Sequence, residues 1–433
     1  MWCYSTFGRG ICSVPAPDRL AYPRLQPYTT VYLYSIGNAL SSFSDPESPA
    51  ASRAIKGRGA LSNLQGRFEH QLREDFHDGW SDGWSDGWSD GWSDGRNGAE
   101  NETSAPGTQI TEEIAHSILT RNQSPDIPFN VSLNPYRGCE HGCVYCFARP
   151  THSYLELSPG LDFETRLFAK INAAELLRRE LASPSWRPEG IALGVNTDAY
   201  QPCERKLGIT RQVLEVMQEC GQPVGLITKS ALIERDIDIL AAMAKKRQVT
   251  VTITITSLDH ALSRKLEPRA ASPTRRIKTV ARLAEAGIPV GVNVAPIIPF
   301  ITDQDFEQVL YAAADAGATS AGYIVLRLPW EVNPLFQQWL HMHFPDRLER
   351  VMGRLRDMRG GKDYDASYGT RMRGEGVWAE LIRQRYDVAM RRSGLASRRQ
   401  DYAELDASGF TRPRYIPAAA AKTDGSPHQQ DMF

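Results

Sequence analysis

Short apolar runs alternate with amphipathic stretches between about residue 110 and residue 328 of this 433-residue chain. Runs that are rich in apolar and β-branched residues predict strands that are buried on both faces. We predict such strands at residues 129–133, 191–196, 223–228, 249–256, 288–298 and 320–328. Between them, apolar positions recur every three to four residues and predict helices at residues 164–181, 210–220, 233–245, 274–286 and 303–316.

Alternation of strands and helices is typical of an α/β fold with a parallel sheet. Six βα units over residues 129–328 favour a partial (β/α)6 barrel of the TIM type over a doubly wound open sheet, although both architectures produce this alternation. After residue 328 the strand pattern stops. We therefore expect a C-terminal helical extension with helices at residues 330–358 and 377–393, joined by a glycine-rich connector at residues 360–376.

The first 105 residues are rich in Ser, Pro, Gly and Arg, and they lack sustained periodicity. They contain HDGWSDGWSDGWSDGWSDG at residues 77–95, in which Asp-Gly recurs every four residues and breaks helix and strand alike. We expect a largely disordered N-terminal region with a low-complexity repeat. The whole chain then divides into four parts, at residues 1–105, 110–330 (the barrel core), 331–395 (the helical extension) and 396–433 (a disordered tail).

Composition narrows the class of protein. The formal net charge of −1 gives no overall electrostatic reason to bind nucleic acid or an anionic membrane. No run approaches the roughly 18 apolar residues that span a bilayer, and the N-terminus lacks the pattern of a signal peptide. The seven cysteines do not form a disulfide framework. We predict a cytoplasmic protein with reduced thiols, in which clustered cysteines more often mark metal binding or catalysis.

Three of the cysteines lie in GCEHGCVYCFARP, residues 138–150, directly after the first predicted strand. The spacing is C-x3-C-x2-C, and the glycines allow the backbone to fold tightly around a bound group. A structural zinc ion would need a fourth ligand, such as His141 or His152. A disulfide with a free thiol fits a reducing compartment badly. An iron–sulfur cluster on Cys139, Cys143 and Cys146 would leave one iron open to another ligand.

With Tyr145 before its last cysteine, the triad resembles the motif of the radical S-adenosylmethionine (SAM) superfamily. Further segments, such as LGVNTDAYQPCERK, LEPRAASPTRR and YGTRMRGEGVWAELI, resemble the spore-photoproduct-lyase-like (DNA repair photolyase-like) proteins, and within them a bacterial subfamily of unassigned substrate. The resemblance covers residues 56–395 except the repeat, so the piece at residues 56–69 is expected to pack on the domain. It implies a [4Fe–4S] cluster on the three cysteines that reductively cleaves SAM to a 5′-deoxyadenosyl radical, which abstracts hydrogen from a substrate.

The same resemblance implies contacts with SAM. It implies Tyr145 near the adenine, Thr197 at the methionyl group, Lys229 at the carboxylate, Thr254 near the ribose, and the backbone of Ala295 at the adenine. Asp198, next to Thr197, is expected either to orient its neighbours at the SAM site or to cap the next turn. Structural explanations stand beside these roles, because alternating threonines suit a strand and a buried lysine needs a partner in any case. Tyr200, Gln201 and Glu204 are expected to shape a substrate pocket or to be structural, and Glu267 and Arg269 could form an ion pair.

The chain departs from the lyase at one position. The lyase returns hydrogen to its product from a cysteine two residues before the strand-two hydroxyl, and Val195 occupies that position here. Cys203 lies eight residues further on and is expected to be an ordinary thiol. Thymine-dimer reversal by the lyase mechanism is therefore not expected, and the substrate stays open, with nucleic acid as one candidate. Arg371 and Arg373 in the connector either face solvent or close over an anionic substrate.

As a partner, the resemblance implies an electron donor, either a reductase or a protein of the flavodoxin or ferredoxin type. The lack of a long apolar run predicts no membrane partner. The competing hypothesis is a non-catalytic zinc- or iron–sulfur-containing protein that binds nucleic acid. Metal content separates the zinc form of this hypothesis from the radical SAM enzyme, because a zinc protein would contain neither iron nor sulfide. Cleavage of SAM separates the non-catalytic iron–sulfur form.

Overall fold

A computed structural model describes residues 54–69 and 107–415 of the chain. Its strands are β1 (Gln109–Glu113), β2 (Leu119–Arg121), β3 (Val131–Leu133), β4 (Tyr136–Arg137), β5 (Arg166–Lys170), β6 (Ile191–Leu193), β7 (Val224–Thr228), β8 (Val249–Thr254), β9 (Val290–Ile297), β10 (Ser320–Val325) and β11 (Ala396–Ser397). Its helices are α1 (Asp162–Thr165), α2 (Ala173–Ala182), α3 (Glu204–Leu207), α4 (Ile209–Cys220), α5 (Ile237–Ala244), α6 (His260–Leu266), α7 (Pro273–Glu285), α8 (Phe306–Asp315), α9 (Val332–His343), α10 (Leu348–Asp357), α11 (Gly376–Ser393) and α12 (Arg399–Ala403). The DGWS repeat lies outside the described residues.

The main sheet has eight strands in the order β11-β10-β9-β8-β7-β6-β3-β2. Its six central strands run parallel, and each lies beside the next strand of the βα series. They are β3, β6, β7, β8, β9 and β10. A doubly wound sheet would reverse its order at a switch point, which this sheet does not do. Strand β2 lies antiparallel on one edge of the sheet, and β11 lies parallel on the other. The barrel is open because these two edge strands are at opposite ends of the strand order. The predicted partial (β/α)6 barrel is confirmed.

The strands form where the sequence predicts them because they are buried on both sides. All six residues of β8, VTVTIT, are buried. The helices that cover the barrel also begin and end where their sequence dictates. In α7, for example, the Ser272 hydroxyl accepts a hydrogen bond from the Arg275 N–H, and Pro273 occupies the first helical position, where its missing N–H is not needed.

Two predicted helices are wrong in part. Residues 164–181 hold the end of α1, strand β5 and most of α2, because β5 pairs with β1 and β4 in a separate three-stranded sheet. Pairing with distant strands therefore overrides the helical pattern there. The single helix predicted at residues 330–358 is two helices, since Pro345 lies between α9 and α10 and cannot continue the backbone hydrogen bonds.

The tail expected to be disordered from residue 396 onward is ordered as far as residue 415, and we call residues 396–415 the C-terminal plug. The plug crosses the end of the barrel where the strands begin. The Asp406 N–H donates to the Arg247 carbonyl, and the Thr411 N–H donates to the Cys220 carbonyl, each at 2.8 Å. The ring of Tyr402 occupies the space beside Gly225 in β7. The described residues form one compact unit, so the helical extension is not a separate domain. No helix in the described part of the chain is long and apolar enough to cross a membrane.

Candidate functional site

A cavity of about 630 Å³ lies at the carboxyl ends of the barrel strands, where parallel barrels carry their functional groups. Side chains from the ends of β6, β7, β8, β9 and β10 line it, together with the loop that follows β3 and β4. The predicted site residues in its wall are Cys139, Cys143, Tyr145, Cys146, Asp198, Lys229, Thr254 and Ala295. The structure thus brings eight of the nine predicted residues to one place.

The three cysteines are free thiols on one loop, residues 138–150, which we call the cysteine loop. Gly138 and Gly142 adopt the left-handed conformation, with φ of 75° and 66°. A side chain at Gly142 would also come within 2.8 Å of the Glu164 carboxylate. Glycine is therefore required at both positions for the loop to turn its cysteines toward the cavity.

Arg149, at the end of the cysteine loop, is completely buried and holds the loop in place. Its Nε donates to the Cys143 carbonyl at 2.9 Å, and Nη1 donates to the carbonyls of Pro159 and Gly160. Its Nη2 forms an ion pair with the Glu164 carboxylate. We did not predict this role, although the position of Arg149 three residues after the last cysteine was a usable signal.

The N-terminal piece at residues 54–69 packs on the cysteine loop, which confirms the expectation that it belongs to the domain. The Glu164 carboxylate accepts the N–H of Gly59 at 3.0 Å and the N–H of Ala60 at 2.8 Å. A Cβ atom at Gly59 would lie 1.7 Å from the Gly142 carbonyl oxygen. The two backbones therefore touch, and the N-terminal piece covers the loop from outside.

Burial disfavours the charged form of two of the three thiols. Burial raises the pKa of Cys139 well above its ordinary value and raises the pKa of Cys143 to about 12, so deprotonation at neutral pH needs a strong compensating cation. Within residues 54–69 and 107–415, no three His, Cys, Asp or Glu side chains converge on one metal position.

Of the two histidines of the zinc alternative, His152 lies outside the cavity wall. The Nε2 of His152 lies 2.9 Å from the Arg166 carbonyl, and the ring packs edge-on against Phe163, away from the cavity. Burial lowers the pKa of His152 to about 4. His141 lines the cavity, and its Nδ1 lies 3.3 Å from Asp198, a carboxylate contact that metal-binding histidines also make.

A buried network fixes the ring of Tyr145 against the cavity. Its hydroxyl donates to Glu267, which also accepts from Thr256 and pairs with the buried Arg276. Arg276 in turn donates to the Thr254 carbonyl at 3.0 Å, so the network joins the cysteine loop to β8. Removing one partner of such a pair leaves an uncompensated buried charge. The ion pair expected between Glu267 and Arg269 is wrong.

Arg269 binds Glu140 of the cysteine loop instead, at 2.8 Å. The Glu140 N–H donates to the Gln201 side chain, which also donates to the Gly138 carbonyl. Gln201 therefore supports the cysteine loop and does not line the cavity.

Asp198 and Lys229 lie side by side at the ends of β6 and β7. Burial alone would raise the pKa of Asp198, but the charge of His141 and hydrogen bonds from His141, the Lys229 N–H and the Thr228 hydroxyl lower it to about 2. The Lys229 ammonium lies 5.9 Å from the centre of the Tyr145 ring. No carboxylate within the described residues lies within salt-bridge distance of it.

Thr197 is the predicted residue that the structure leaves out of the cavity wall. Its hydroxyl is buried and donates to the Tyr136 carbonyl at 2.8 Å, and Asn196 lines the cavity beside it. Tyr200 and Glu204 are also buried behind the wall, where their side chains bond to Asp236 and to Tyr136. Of the two expectations for these residues, the structure supports the structural one.

The structure also shows where the residues that were compared with the lyase lie. Val195 lines the cavity, whereas Cys203 is buried outside it, as an ordinary thiol would be. In the glycine-rich connector, Arg371 lines the cavity and forms two hydrogen bonds of 2.6 Å with Asp126. Arg373 instead stacks on Tyr323 outside it.

The opposite wall carries two arginines that we did not predict, Arg327 at the end of β10 and Arg398 from the C-terminal plug. Position at a strand end could have indicated Arg327. No local signal indicates Arg398, because the plug reaches the barrel only through contacts that are distant in sequence.

Comparison with known proteins gives a family for this architecture. Residues 133–311 match the model of the radical SAM superfamily. An uncharacterized protein of Mycobacterium tuberculosis is 37% identical over 243 residues, which cover 54% of this chain and 72% of that protein. An uncharacterized protein of Methanocaldococcus jannaschii is 25% identical over 219 residues, covering 51% of this chain and 78% of that protein.

Among solved structures, a point mutant of spore photoproduct lyase matches with a TM-score of 0.47 and 15% identity, covering 65% of this chain and 79% of that one. The assignment to the superfamily does not depend on that match. It follows from the family model over the barrel and from the relatives that share most of their length with this chain. The chain belongs to the radical SAM superfamily and is an enzyme of that family.

Proposed function

We propose that this enzyme holds a [4Fe–4S] cluster on Cys139, Cys143 and Cys146 and binds SAM in the adjoining cavity. The observation that supports this most directly is the set of three free thiols that line one cavity next to the ammonium group of Lys229. When bound and reduced, such a cluster supplies the electron that cleaves SAM to methionine and a 5′-deoxyadenosyl radical, which abstracts a hydrogen atom from the substrate.

The residues of the chain have distinct tasks in this proposal. Lys229 pairs with the carboxylate of SAM, and Asp198 positions Lys229 by accepting its backbone N–H at 2.8 Å. Tyr145, Thr254 and the backbone of Ala295 form the wall that contacts the adenosyl part. Arg149 and Glu164 hold the cysteine loop from behind and exclude water from it.

The electron donor in this proposal is a reductase or a protein of the flavodoxin or ferredoxin type. Val195 cannot donate a hydrogen atom as the cysteine of the lyase does, so the enzyme does not use the hydrogen-return step of that lyase. Nucleic acid is one candidate substrate, and a protein or a metabolite is another.

Metal analysis with a matched pair of variants tests the proposal. After anaerobic reconstitution the wild type should contain iron and sulfide and absorb broadly near 400 nm, a property of this class of cluster. Cys143→Ala should lose both signals. Cys203→Ala should keep them, because Cys203 is a buried cysteine outside the cavity. One zinc per chain without iron or sulfide would support the zinc-protein alternative and refute the proposal.

A further inference from the structure

The cavity is rich in positive charge although the chain as a whole is nearly neutral. Among the described residues that line it, Asp198 is the only one with a carboxylate. The cationic side chains in its wall are Arg121, Lys229, Arg327, Arg371 and Arg398. Such a lining attracts a negatively charged ligand.

Ion pairs within the protein neutralise only some of these cationic side chains. Arg371 is neutralised by Asp126, and the largely exposed Arg121 lies 3.8 Å from Glu189. Neither Arg327 nor Arg398 forms an ion pair with any residue that the structure describes. Asp401, three residues after Arg398, accepts its hydrogen bond from Ser320 instead.

Both arginines also present buried donors that lack a partner. The Nε atom of Arg327 and the Nη1 atom of Arg398 are buried and make no hydrogen bond within the described residues. The same holds for the Oδ1 atom of Asn293, which also lines the cavity. Buried polar groups of folded proteins are normally hydrogen-bonded, so these three atoms indicate a missing partner.

The backbone is shaped to let Arg398 reach the interior. Gly322 in β10 pairs in register with Asn293 in β9. A Cβ atom on Gly322 would lie 3.2 Å from the Arg398 Nε and 3.3 Å from the Asn293 Oδ1. Arg398 and Asn293 therefore lie close together, with a donor and an acceptor both free.

Arg327 lies at the other end of the same wall. Its guanidinium carbon lies 5.2 Å from the centre of the Phe147 ring, and Phe147 directly follows Cys146. Its terminal nitrogens make only long contacts, to the Met372 sulfur at 3.5 Å and the Tyr364 hydroxyl at 3.4 Å. The guanidinium is thus stacked next to the cysteine loop and still able to bind an anion.

We infer that the β10 side of the cavity is a substrate subsite, in which Arg327 and Arg398 bind phosphate or carboxylate groups at its two ends and Asn293, beside Arg398, accepts a hydrogen bond from a neighbouring N–H or O–H. The inference rests on the proposed function, in which Lys229 is occupied by SAM. It defines the substrate as an anion, and it gives the C-terminal plug a direct part in substrate recognition.

Anion binding to the reconstituted, SAM-saturated enzyme tests the inference. Inorganic pyrophosphate and citrate are titrated in separate arms by anaerobic calorimetry at constant ionic strength, to distinguish a phosphate from a carboxylate ligand. We expect one of the two to bind, and Arg327→Gln and Arg398→Gln each to weaken its binding about tenfold or more. Arg121→Gln, a cavity arginine that is largely exposed, should change it less than about twofold.

Iron content and the Kd for SAM are measured on the same preparations. Unchanged values in the variants show that the fold and the SAM site are retained. The inference is overturned if neither anion binds, if all three variants behave alike, or if Arg327→Gln and Arg398→Gln weaken SAM binding instead. A wild type that holds no iron and binds no SAM would refute the proposed function itself, and with it the subsite.

Discussion

Lys229 meets the two conditions that an anchor for a carboxylate needs. Burial would lower the pKa of Lys229, but the nearby Cys143 and Glu267 outweigh burial and raise it, so the ammonium stays charged. The charge also has no carboxylate at salt-bridge distance among the residues described. A ligand carboxylate can therefore bind it without displacing an internal partner.

Replacing Lys229 with Met should keep the volume of the side chain and remove its charge. We expect the Kd for SAM to rise about tenfold to a hundredfold, since hydrogen bonds to charged groups contribute roughly 1.5–3 kcal/mol. Iron content should not change. The measurement is SAM binding by anaerobic calorimetry, with Lys265→Met, an exposed lysine, as the control. Wild-type affinity in Lys229→Met would rule out this contact.

The site residues that the sequence revealed are those whose role follows from a local motif. Cys139, Cys143, Cys146 and Tyr145 lie in one short stretch, and all reach the cavity. Thr197 stays outside the cavity wall, because its hydroxyl donates to the Tyr136 carbonyl. The motif indicates that a hydroxyl is present but not which group it contacts. The support given by Arg149 depends on contacts across the fold, which no spacing in the sequence specifies.

At the scale of secondary structure, the barrel strands were predictable because both of their faces are buried. Strand β5 was missed, because its residues also fit a helical pattern and only β1 and β4 determine its state. The C-terminal plug was missed for a related reason. Its composition is typical of a tail, and its order depends on small residues in distant strands, such as Gly225, that leave space for Tyr402.

Gly225→Ala tests how the plug closes the barrel. A Cβ atom at this position would lie 2.4 Å from the Tyr402 ring, so we expect a loss of about 1–3 kcal/mol in the free energy of unfolding. In a Tyr402→Ala background the same substitution should cost much less, because the clash is gone. Urea denaturation gives all four corners of this cycle.

Gly353→Ala is the matched control for that cycle. Gly353 lies in α10 with no atom near the position of an added Cβ, so alanine should be neutral or slightly stabilising there. Equal effects of Gly225→Ala with and without Tyr402 would contradict the account of the plug.

At the scale of the whole molecule, segments from both ends of the described chain complete the barrel. The C-terminal plug covers the end where the strands begin, and residues 54–69 cover the cysteine loop at the other end. The cavity between these two segments carries Arg327 and Arg398 on the side of β10. Barrel, N-terminal piece and plug therefore form one functional unit.

Gly59→Ala should separate the N-terminal piece from the cysteine loop, because the added Cβ would overlap the Gly142 carbonyl oxygen. We expect lower iron content after reconstitution and faster loss of the cluster absorbance in air, since the loop loses its cover. Gly107→Ala, with open space around it, should match the wild type in both measurements. Wild-type iron content and air stability in Gly59→Ala would show that the piece does not protect the loop.

The central claim is that the cysteine loop serves reductive cleavage of SAM, and the direct measurement is 5′-deoxyadenosine formed from SAM and dithionite under anaerobic conditions. The account predicts that the reconstituted wild type forms 5′-deoxyadenosine and methionine in equal amounts, and that Cys143→Ala forms neither. A wild type with full iron and sulfide content that leaves SAM intact would contradict the account, as would cleavage by Cys143→Ala at the wild-type rate.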